Sequence, residues 1–513
     1  WKPLRRSRMS AINVLAHESI QTPSVAWTGL LPIIILAAAG ILLLTICSLF
    51  PEKVTNKFAS VYTQLAAVAA LSSTFSLWDK VQNKSEGPYS TLAGAFSVDG
   101  FSIFVTMLIT ICVILISPIA ETFLKRENIT GPEPYVLMLI AATGGIIMAG
   151  ANDFIILFLG IEVLSISSYI LAAMNSRRIQ SQEAGLKYFV LGAFASGFLL
   201  YGIALLYGAT GSTSFSAIKN FTQEVELTND TLLLAALALI IVGLAFKVAA
   251  VPFHFWSPDV YQGSPTPFVA FMASAVKAAG FAAILRVLYV TLGEYQADWQ
   301  PVIYAIAIAT LLTGSLLAIV QTDLKRMLAY SSISHAGYLL VGTQAASDQG
   351  VKAVLFYIAT YAFMAIGSFT VVAINSGDTG IQTDLNSISG LATRKPLLAI
   401  TFTIFLLGQA GIPLTSGFFA KFYVIEAAIE ERSYLLAIIA MIAAVIGAFL
   451  YLRILVKVWL LEPEKDQKGI KLHIPIEIGL VLAIAVIATM FFGIWPEPLV
   501  EMVQRAIPAL IPG

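Results

Sequence analysis

The clearest indication of the fold lies in residues 243–281, which read GLAFKVAAVPFHFWSPDVYQGSPTPFVAFMASAVKAAGF. They begin as an apolar helical run, but Pro252 lies where that helix should continue, and proline removes an intrahelical hydrogen bond. The run then becomes apolar again and carries Lys277 among alanine, valine and glycine. A similar pattern recurs around Pro413 in residues 406–422, LLGQAGIPLTSGFFAKF. Both segments therefore predict helices that are interrupted in apolar surroundings.

The whole chain has the composition of a membrane protein. Of its 513 residues, 58% are hydrophobic and 12% are charged, and the mean hydropathy is +0.84. An average soluble domain has about 25% charged residues. A helix needs about 20 residues to cross a hydrocarbon core about 30 Å thick. About fourteen such apolar runs are centred near residues 29–50, 58–78, 99–120, 133–151, 153–173, 186–208, 231–253, 266–290, 301–320, 327–345, 352–375, 397–429, 434–460 and 475–494.

The sequence thus predicts an all-α polytopic membrane protein in which the seventh and twelfth helices are broken. Unpaired backbone at membrane depth is tolerated only where protein or a water-filled cavity satisfies it. Paired interruptions in corresponding halves of a chain are typical of inverted-repeat transporters, whose working site lies near the midplane. We therefore expect the functional site near the breaks at Pro252 and Pro413.

Charged and titratable side chains lie inside the predicted helices, where a charge costs about 2.5–3.5 kcal/mol near the bilayer centre. These residues are Glu162, Lys187, Lys247, His254, Lys277, His335 and Lys421. A partly desolvated lysine can exchange its proton, and histidine titrates near neutral pH. A row of such groups across several helices predicts a proton path rather than a pocket for a solute.

Each of these residues also has a structural interpretation. Glu162 and Lys247 could form a static ion pair that ties helices together. Lys187 and Lys421 could extend toward a membrane surface, and the histidines could be hydrogen-bonded interior side chains. Lys277 has no acidic residue near it in the sequence, so the static interpretation is weakest there.

The composition argues against several other functions. The formal net charge is zero and no stretch is strongly basic, so nucleic acid is not an expected partner. The chain has two cysteines, both in apolar runs, and four histidines, with no CxxC or HExxH motif. We therefore expect no metal, haem or iron–sulfur site, and no cofactor in this chain. No glycine-rich phosphate loop is present either. Electrons for any redox reaction would have to be carried by another chain.

The distribution of Lys and Arg predicts that both termini lie on the outer side. The inner loops then hold Lys53, Lys57, Lys125, Arg126, Arg177, Arg178, Lys325, Arg326, Arg394, Lys395, Lys465, Lys468 and Lys471. The outer loops hold Lys80, Lys84, Lys219 and Arg432. The exceptions are Lys2, Arg5, Arg6 and Arg8, which all precede Met9. We interpret Met9 as the start of translation, and we expect no cleavable signal peptide.

Three long motifs resemble one known family, the antiporter-like subunit N (subunit 2) of bacterial respiratory complex I and its chloroplast relative. They are KYFVLGAFASGFLLYGIALLYGATG at 187–211, the opening stretch at 243–281, and QTDLKRMLAYSSISHAGYLLVG at 321–342. The resemblance begins near Asp99 and extends to the end of the thirteenth helix. It implies fourteen helices containing two inverted five-helix repeats. The implied segments are a tail at 1–28, helices 1–3 at 29–132, the repeats at 133–290 and 291–460, and a charged loop with helix 14 at 461–513.

The resemblance also implies roles for the intramembrane residues. Glu162 and Lys247 match the family's pair at the input half-channel. Lys277 matches the central lysine of the eighth helix, and Lys421 matches the output residue of the twelfth. The secondary matches are His254 with a relay histidine, Lys187 with a lysine at the start of the sixth helix, and His335 with a SISHAGY-like segment.

The function that the resemblance implies is that of a non-redox, proton-translocating subunit of NADH:quinone oxidoreductase in the bacterial inner membrane. Quinone, FMN and iron–sulfur clusters are then expected in partner subunits, with subunits K and M as neighbours. Lys421 separates this chain from subunits L and M, which usually carry an acid there. The D-type component of multisubunit Na⁺/H⁺ antiporters can also carry lysine at that position, so such an antiporter is the alternative. A purely structural membrane subunit is a third.

Overall fold

The computed structural model describes residues 25–50, 54–82, 87–224, 230–376, 383–463 and 474–508. Several predictions fall outside these residues. They concern the basic tail before Met9 and the loop residues Lys53, Lys84, Lys465, Lys468 and Lys471.

Helices make up most of the described chain, and one short antiparallel hairpin joins the second and third predicted spans. The first half contains α1 (Trp27–Leu49), α2 (Asn56–Gln82), β1 (Tyr89–Thr91), β2 (Phe96–Val98), α3 (Gly100–Arg126), α4 (Glu133–Gly150), α5 (Phe154–Ala172), α6 (Ile179–Thr210), α7 (Phe215–Glu224), α8 (Thr231–Lys247), α9 (Trp256–Gly263) and α10 (Thr266–Thr291). The second half contains α11 (Gln296–Val320), α12 (Leu324–Gln344), α13 (Asp348–Asn375), α14 (Leu391–Arg394), α15 (Pro396–Ala410), α16 (Ser416–Glu430), α17 (Tyr434–Leu460), α18 (Ile476–Ile494) and α19 (Glu497–Gln504).

Every predicted apolar run coincides with a helix or with a pair of helices. Within the described residues, 11 helices are long and apolar enough to cross a membrane. The remaining three predicted spans are the broken pairs α8/α9 and α15/α16, whose halves are short, and α12, which is rich in polar residues. The predicted all-α polytopic fold is therefore confirmed. The sixth helix begins at Ile179 rather than near residue 186.

Three helices form the centre of the molecule. Over their most apolar 18 residues, α3, α10 and α13 are 89%, 100% and 94% buried. By contrast, α1, α6, α17 and α18 are buried over only about a third of theirs and expose apolar side chains. The most apolar 18 residues of α10, which include Lys277, are thus enclosed by this chain's own helices.

The seventh helix is broken between Lys247, the last residue of α8, and Trp256, the first of α9. The intervening turn contains the cis peptide bond Val251–Pro252. The Val251 N–H donates to Thr310 Oγ1 of α11 at 3.0 Å, and Trp256 Nε1 donates to the Phe246 carbonyl at 3.1 Å. Protein groups thus satisfy backbone that the break leaves free, as membrane depth requires.

The twelfth helix is broken between α15 and α16. Gly411 follows α15 with a φ of +85°, a left-handed conformation that glycine adopts without steric cost. One of the last carbonyls of α15, that of Ala410, accepts a hydrogen bond from Lys421 Nζ at 2.8 Å. The interruptions predicted at Pro252 and Pro413 are therefore both confirmed.

Two matching bridges relate the halves of the chain. Asp153 caps the start of α5, and Asp323 caps the start of α12, each by accepting a backbone N–H. Each aspartate also accepts a hydroxyl from a threonine 60 residues later, Thr213 and Thr383 respectively. The backbone N–H of the residue after each aspartate donates to that threonine's carbonyl, at 2.9 and 2.7 Å.

This match supports two copies of one folding unit. The helices α5 and α12 are the fifth and tenth predicted crossings, so they run in opposite directions if the chain crosses the membrane at each one. An inverted repeat has this arrangement. The boundaries 133–290 and 291–460 stay a prediction.

Candidate functional site

The predicted pair of Glu162 and Lys247 is separated in this structure. Lys247 is 6% exposed, and its Nζ donates to Ser165 Oγ of α5 at 2.8 Å. The Glu162 carboxylate instead accepts the hydroxyl of Ser196 on α6 at 2.5 Å. Among the described residues, no ion pair within 4.0 Å joins the two. Since Ser165 lies three residues after Glu162 on the same helix, the lysine lies beside the acid without contacting it.

Lys277 lies at the centre of the enclosed α10, immediately after a π-helical turn at Met272–Val276. It is 5% exposed, and its Nζ donates to Ser332 Oγ of α12 at 2.6 Å and to the Ser332 carbonyl. The Nζ also lies 5.3 Å from the centroid of the Tyr361 ring. No carboxylate of the described chain pairs with it. Neutral oxygens and a ring face are therefore its only described polar partners.

Equivalent positions of α5 and α12 serve the two lysine sites. Glu162 and Ser332 each lie nine residues after the capping aspartate of their helix. Ser165 and His335 each lie twelve residues after it. The repeat thus places an acid beside the first lysine and a neutral hydroxyl on the second.

His335 connects the central lysine site with the twelfth-helix site. Its Nδ1 lies 2.7 Å from the Tyr357 hydroxyl, and its Nε2 lies 3.1 Å from the Tyr451 hydroxyl. Its ring centroid is 4.6 Å from that of Tyr361, the ring that Lys277 also faces. His335 is 2% exposed, so these contacts replace water around the imidazole. The histidine is therefore part of a buried polar row.

Lys421 lies in α16, just beyond the break of the twelfth helix. It is 8% exposed, and besides its bond to Ala410 it lies 4.9 Å from the centroid of the Tyr338 ring. A cavity of about 10 Å³ is bounded by Lys421, His335 and Tyr451. That volume has room for about one water molecule. The polar row thus continues from Lys277 through His335 to Lys421.

The link between Lys247 and Lys277 is of a different kind. Gly280, one turn after Lys277, packs against the Lys247 side chain, since a Cβ at Gly280 would lie 3.5 Å from Lys247 Cγ. The stem of the first lysine therefore contacts the helix of the second through apolar atoms.

The two remaining predicted residues lie apart from this row. His254, in the turn of the seventh-helix break, is buried, and its Nδ1 has no hydrogen-bond partner within the described chain. The Lys187 side chain is 42% exposed and pairs with Glu183 at 2.6 Å and Asp259 at 2.7 Å. Lys187 therefore belongs to a surface cluster rather than to the buried site.

That cluster lines a cavity of about 660 Å³ at the predicted inner side. Its walls come from the loops and helix ends between α5 and α6, around α9, and at the start of α12. Asp259 also accepts from Arg326 Nη1 at 2.5 Å, and Lys325 is another wall residue. The sequence places Lys325 and Arg326 only among loop charges, and it does not predict Asp259 as a site residue.

The serine hydroxyls that bind Lys247 and Lys277, and the tyrosine rings beside Lys277 and Lys421, could not be recognised in the sequence. Ser and Tyr occur throughout the apolar runs without a cost that singles them out. Sequence reasoning missed Arg286 as well, a buried charge in α10. Arg286 Nη2 pairs with Asp99 Oδ1 at 2.6 Å, and its Nε donates to the Ala149 carbonyl at 2.9 Å. Because its carboxylate partner is fixed, Arg286 ties α10 to the start of α3. In the described ranges, no group of three or more His, Cys, Asp or Glu side chains could hold a metal ion.

Comparison with known proteins gives consistent results. Residues 151–447 match the family model described as NADH:quinone oxidoreductase/Mrp antiporter, TM. NADH-quinone oxidoreductase subunit N 3 of Streptomyces griseus is 37% identical, over 95% of each chain. Subunit N of Parvibaculum lavamentivorans is 42% identical, over 82% of this chain and 86% of its own.

Solved structures show the same fold. A chain of respiratory complex I from Thermus thermophilus, determined with bound aureothin, is 31% identical with a TM-score of 0.79, over 92% of this chain and 99% of that one. A chain of the Mrp complex from Dietzia has a TM-score of 0.81 over 94% of this chain and 97% of its own, but at 20% identity it shows the fold alone. The chain belongs to the family of antiporter-like, proton-translocating subunits N of NADH:quinone oxidoreductase.

Proposed function

We propose that this chain carries protons outward across the bacterial inner membrane through Glu162, Lys247, Lys277 and Lys421, in that order. The observation that carries the proposal is that the three lysines are buried, and none pairs with a carboxylate among the described residues. Each is held by hydroxyl or carbonyl oxygens, so losing its proton leaves no buried carboxylate unpaired.

Proton uptake takes place at the Glu162–Lys247 pair. In this proposal, water for uptake comes from the charged cavity of about 660 Å³ on the predicted inner side. Glu162, bound to Ser196, stands away from Lys247 in the state seen here. When the carboxylate approaches, it stabilises the charged lysine, and when it leaves, it favours release of the proton. The pair then acts as an electrostatic gate.

Transfer from Lys277 to Lys421 uses the hydroxyl and imidazole groups between them. Ser332 and His335 lie three residues apart on α12 and therefore on one face. His335 has an acceptor and a donor nitrogen in its neutral form, and Tyr357 and Tyr451 can take either role. A proton that reaches this row from Lys277 passes through the small cavity to Lys421. Lys421 then releases the proton outward.

The driving energy comes from other subunits. Moving one charge against the membrane potential costs about 2.3 kcal/mol per 100 mV. In our proposal, quinone reduction in neighbouring chains supplies that energy. Those chains hold quinone, FMN and iron–sulfur clusters, subunits K and M flank this one, and both termini lie on the outer, periplasmic side.

The proposal is tested with Lys277→Met in the assembled enzyme, and Lys352→Met, a partly buried lysine at the start of α13, is the control. We expect Lys277→Met to assemble but to translocate protons about a hundredfold more slowly or worse, the usual effect of losing a proton-transfer group. Normal translocation by Lys277→Met would refute the path. Loss of assembly without loss of specific activity would instead favour a purely structural subunit.

The alternative, a component of a multisubunit Na⁺/H⁺ antiporter, is favoured only by the shared fold and the shared family description. It predicts sodium-dependent transport and antiporter subunits in the gently purified complex. The proposed function predicts redox subunits and transport that is independent of sodium.

A further inference from the structure

Lys325 is a buried cation that the proposed proton path does not use. It lies in the first turn of α12 and is 4% exposed. Its Nζ donates to the backbone carbonyls of Gln262 at 2.9 Å and Ser264 at 2.6 Å. No ion pair within the described residues involves it. The ammonium group is therefore committed to two carbonyls of another segment.

Those two carbonyls lie at the carboxyl end of α9, the second half of the broken seventh helix. The last carbonyls of a helix lack intrahelical partners and carry the negative end of its dipole. Ser264 follows α9 directly, and the chain then enters α10 through Pro265. From the second half of the chain, the lysine thus supplies a donor to the Gln262 carbonyl in the last turn of α9 and to the Ser264 carbonyl that follows it.

Ion pairs with two neighbouring helices also hold the short helix α9. Asp259 of α9 pairs with Arg326, the neighbour of Lys325 on α12, and with Lys187 of α6. Lys325 is enclosed, whereas the side chains of Asp259, Arg326 and Lys187 are 32%, 30% and 42% exposed, and exposed ion pairs contribute little to stability. The buried lysine is therefore the stronger fastening.

The opposite end of α9 carries the break. Trp256, its first residue, donates to the Phe246 carbonyl beside Lys247 and stacks on Tyr188 of α6, with ring centroids 4.3 Å apart. His254 lies two residues before Trp256. Because α9 has only 8 residues, we expect a displacement of its inner end, which is its carboxyl end, to reach the break.

We propose that Lys325 is a positioning residue: it fastens the inner end of α9 to α12 and so holds the break that presents Lys247 and His254. Its effect on transport rests on the proposed function, whereas its effect on α9 does not. One inferred repeat thereby holds the broken helix of the other.

The test uses the assembled enzyme with Lys325→Met, which removes charge and donors, and Lys325→Arg, which keeps both. An arginine cannot give up its proton, so Lys325→Arg separates fastening from proton transfer. Lys395→Met, at the start of α15 on the predicted inner side, is the control. The measurements are amide hydrogen exchange in residues 256–263 and protons translocated per quinone reduced.

We expect Lys325→Met to exchange about tenfold faster in residues 256–263, the scale of one charge-assisted hydrogen bond, and to translocate fewer protons per turnover. Lys325→Arg and Lys395→Met should match the wild type in both measurements. If Lys325→Met fails to assemble, Lys325→Gln takes its place with the same expectation. Unchanged exchange in the uncharged variant overturns the proposal, and so does loss of transport in Lys325→Arg with unchanged exchange, which would make Lys325 a proton carrier.

Lys277→Met distinguishes this inference from the proposed function. It should lose transport while residues 256–263 exchange at the wild-type rate. If Lys277→Met translocates protons normally, the path fails, but the exchange result for Lys325 still decides whether α9 is fastened there.

Discussion

The buried basic residues of the molecule differ in their hydrogen-bond partners. Lys247 donates to one hydroxyl, Lys277 to a hydroxyl and a carbonyl, and Lys421 to one carbonyl. Arg286 is as deeply buried but has the carboxylate of Asp99 as its partner. Breaking a buried ion pair is strongly destabilising because it leaves one charge without its partner. A lysine that is bound to neutral oxygens can lose its proton without creating an unpaired ion. This contrast separates the lysines that we propose to carry protons from Arg286, to which we assign a structural role.

Removing the Tyr451 hydroxyl tests whether the polar row between Lys277 and Lys421 conducts protons. The hydroxyl contacts His335 Nε2 at 3.1 Å and Ser331 Oγ at 2.5 Å. Tyr451→Phe keeps the packed ring and removes only the hydroxyl, so we expect assembly to persist and proton translocation to fall about tenfold or more. The measurement is proton translocation in sealed vesicles, with quinone reduction followed in parallel.

Tyr338→Phe is the matched control for this change. Its hydroxyl is also buried, but it donates to the Ala440 carbonyl, and its ring faces Lys421 with or without the hydroxyl. We expect a stability loss of about 1 kcal/mol and nearly normal translocation. Equal losses in the two variants would contradict a specific role for Tyr451.

The sequence predicted the charged members of the site because a charge inside an apolar run has a cost that requires a reason. It could not predict that Glu162 turns to Ser196 and away from Lys247, since helical spacing fixes the positions of two side chains but not their rotamers. Tyr357, Tyr361 and Tyr451 were missed for another reason. An aromatic residue in a membrane helix is ordinarily a packing residue, and only the fold shows which tyrosines contact the His335 imidazole by a hydroxyl or a ring.

At the scale of elements, the breaks could be predicted, whereas the fastening of their ends could not. Pro252 and Pro413 marked the interruptions in the sequence. The contact of Lys325 with the end of α9 joins residues about 60 positions apart and leaves no local pattern. The π-helical turns of α10, one just before Lys277 and one beginning at Arg286, likewise have no signature in the composition.

The ion pair of Arg286 with Asp99, which joins α10 to the start of α3, is expected to contribute to stability and not to transport. Arg286→Met leaves the Asp99 carboxylate buried without its partner, which costs about 3–5 kcal/mol. We expect less assembled enzyme and a lower temperature of thermal inactivation, with normal protons per turnover in whatever assembles. Replacing both residues, Arg286→Met with Asp99→Asn, should recover much of the stability, because the neutral amide can still accept the Ser102 N–H that caps α3. A specific loss of transport in the single variant would place Arg286 on the proton path instead.

In the molecule as a whole, the polar row from Lys277 through His335 to Lys421 lies inside a layer of apolar helices. Peripheral helices such as α6 and α17 present apolar side chains outward, including Phe194 and Val445, as lipid or neighbouring membrane subunits require. The most apolar 18 residues of the central α10 are buried by the chain itself. The site therefore has no described opening for a solute beside Lys277, which suits a proton carried by side chains and single waters.

In our proposal the buried lysines carry protons and do not merely bear charge, and the variant Lys277→Arg separates these two roles. Arginine keeps the positive charge and the hydrogen-bond donors but cannot release its proton. Proton translocation per quinone reduced is measured in sealed vesicles containing the assembled enzyme, with Lys421→Arg as a second variant. We predict that both variants assemble and lose translocation. Wild-type translocation in assembled Lys277→Arg would contradict the account.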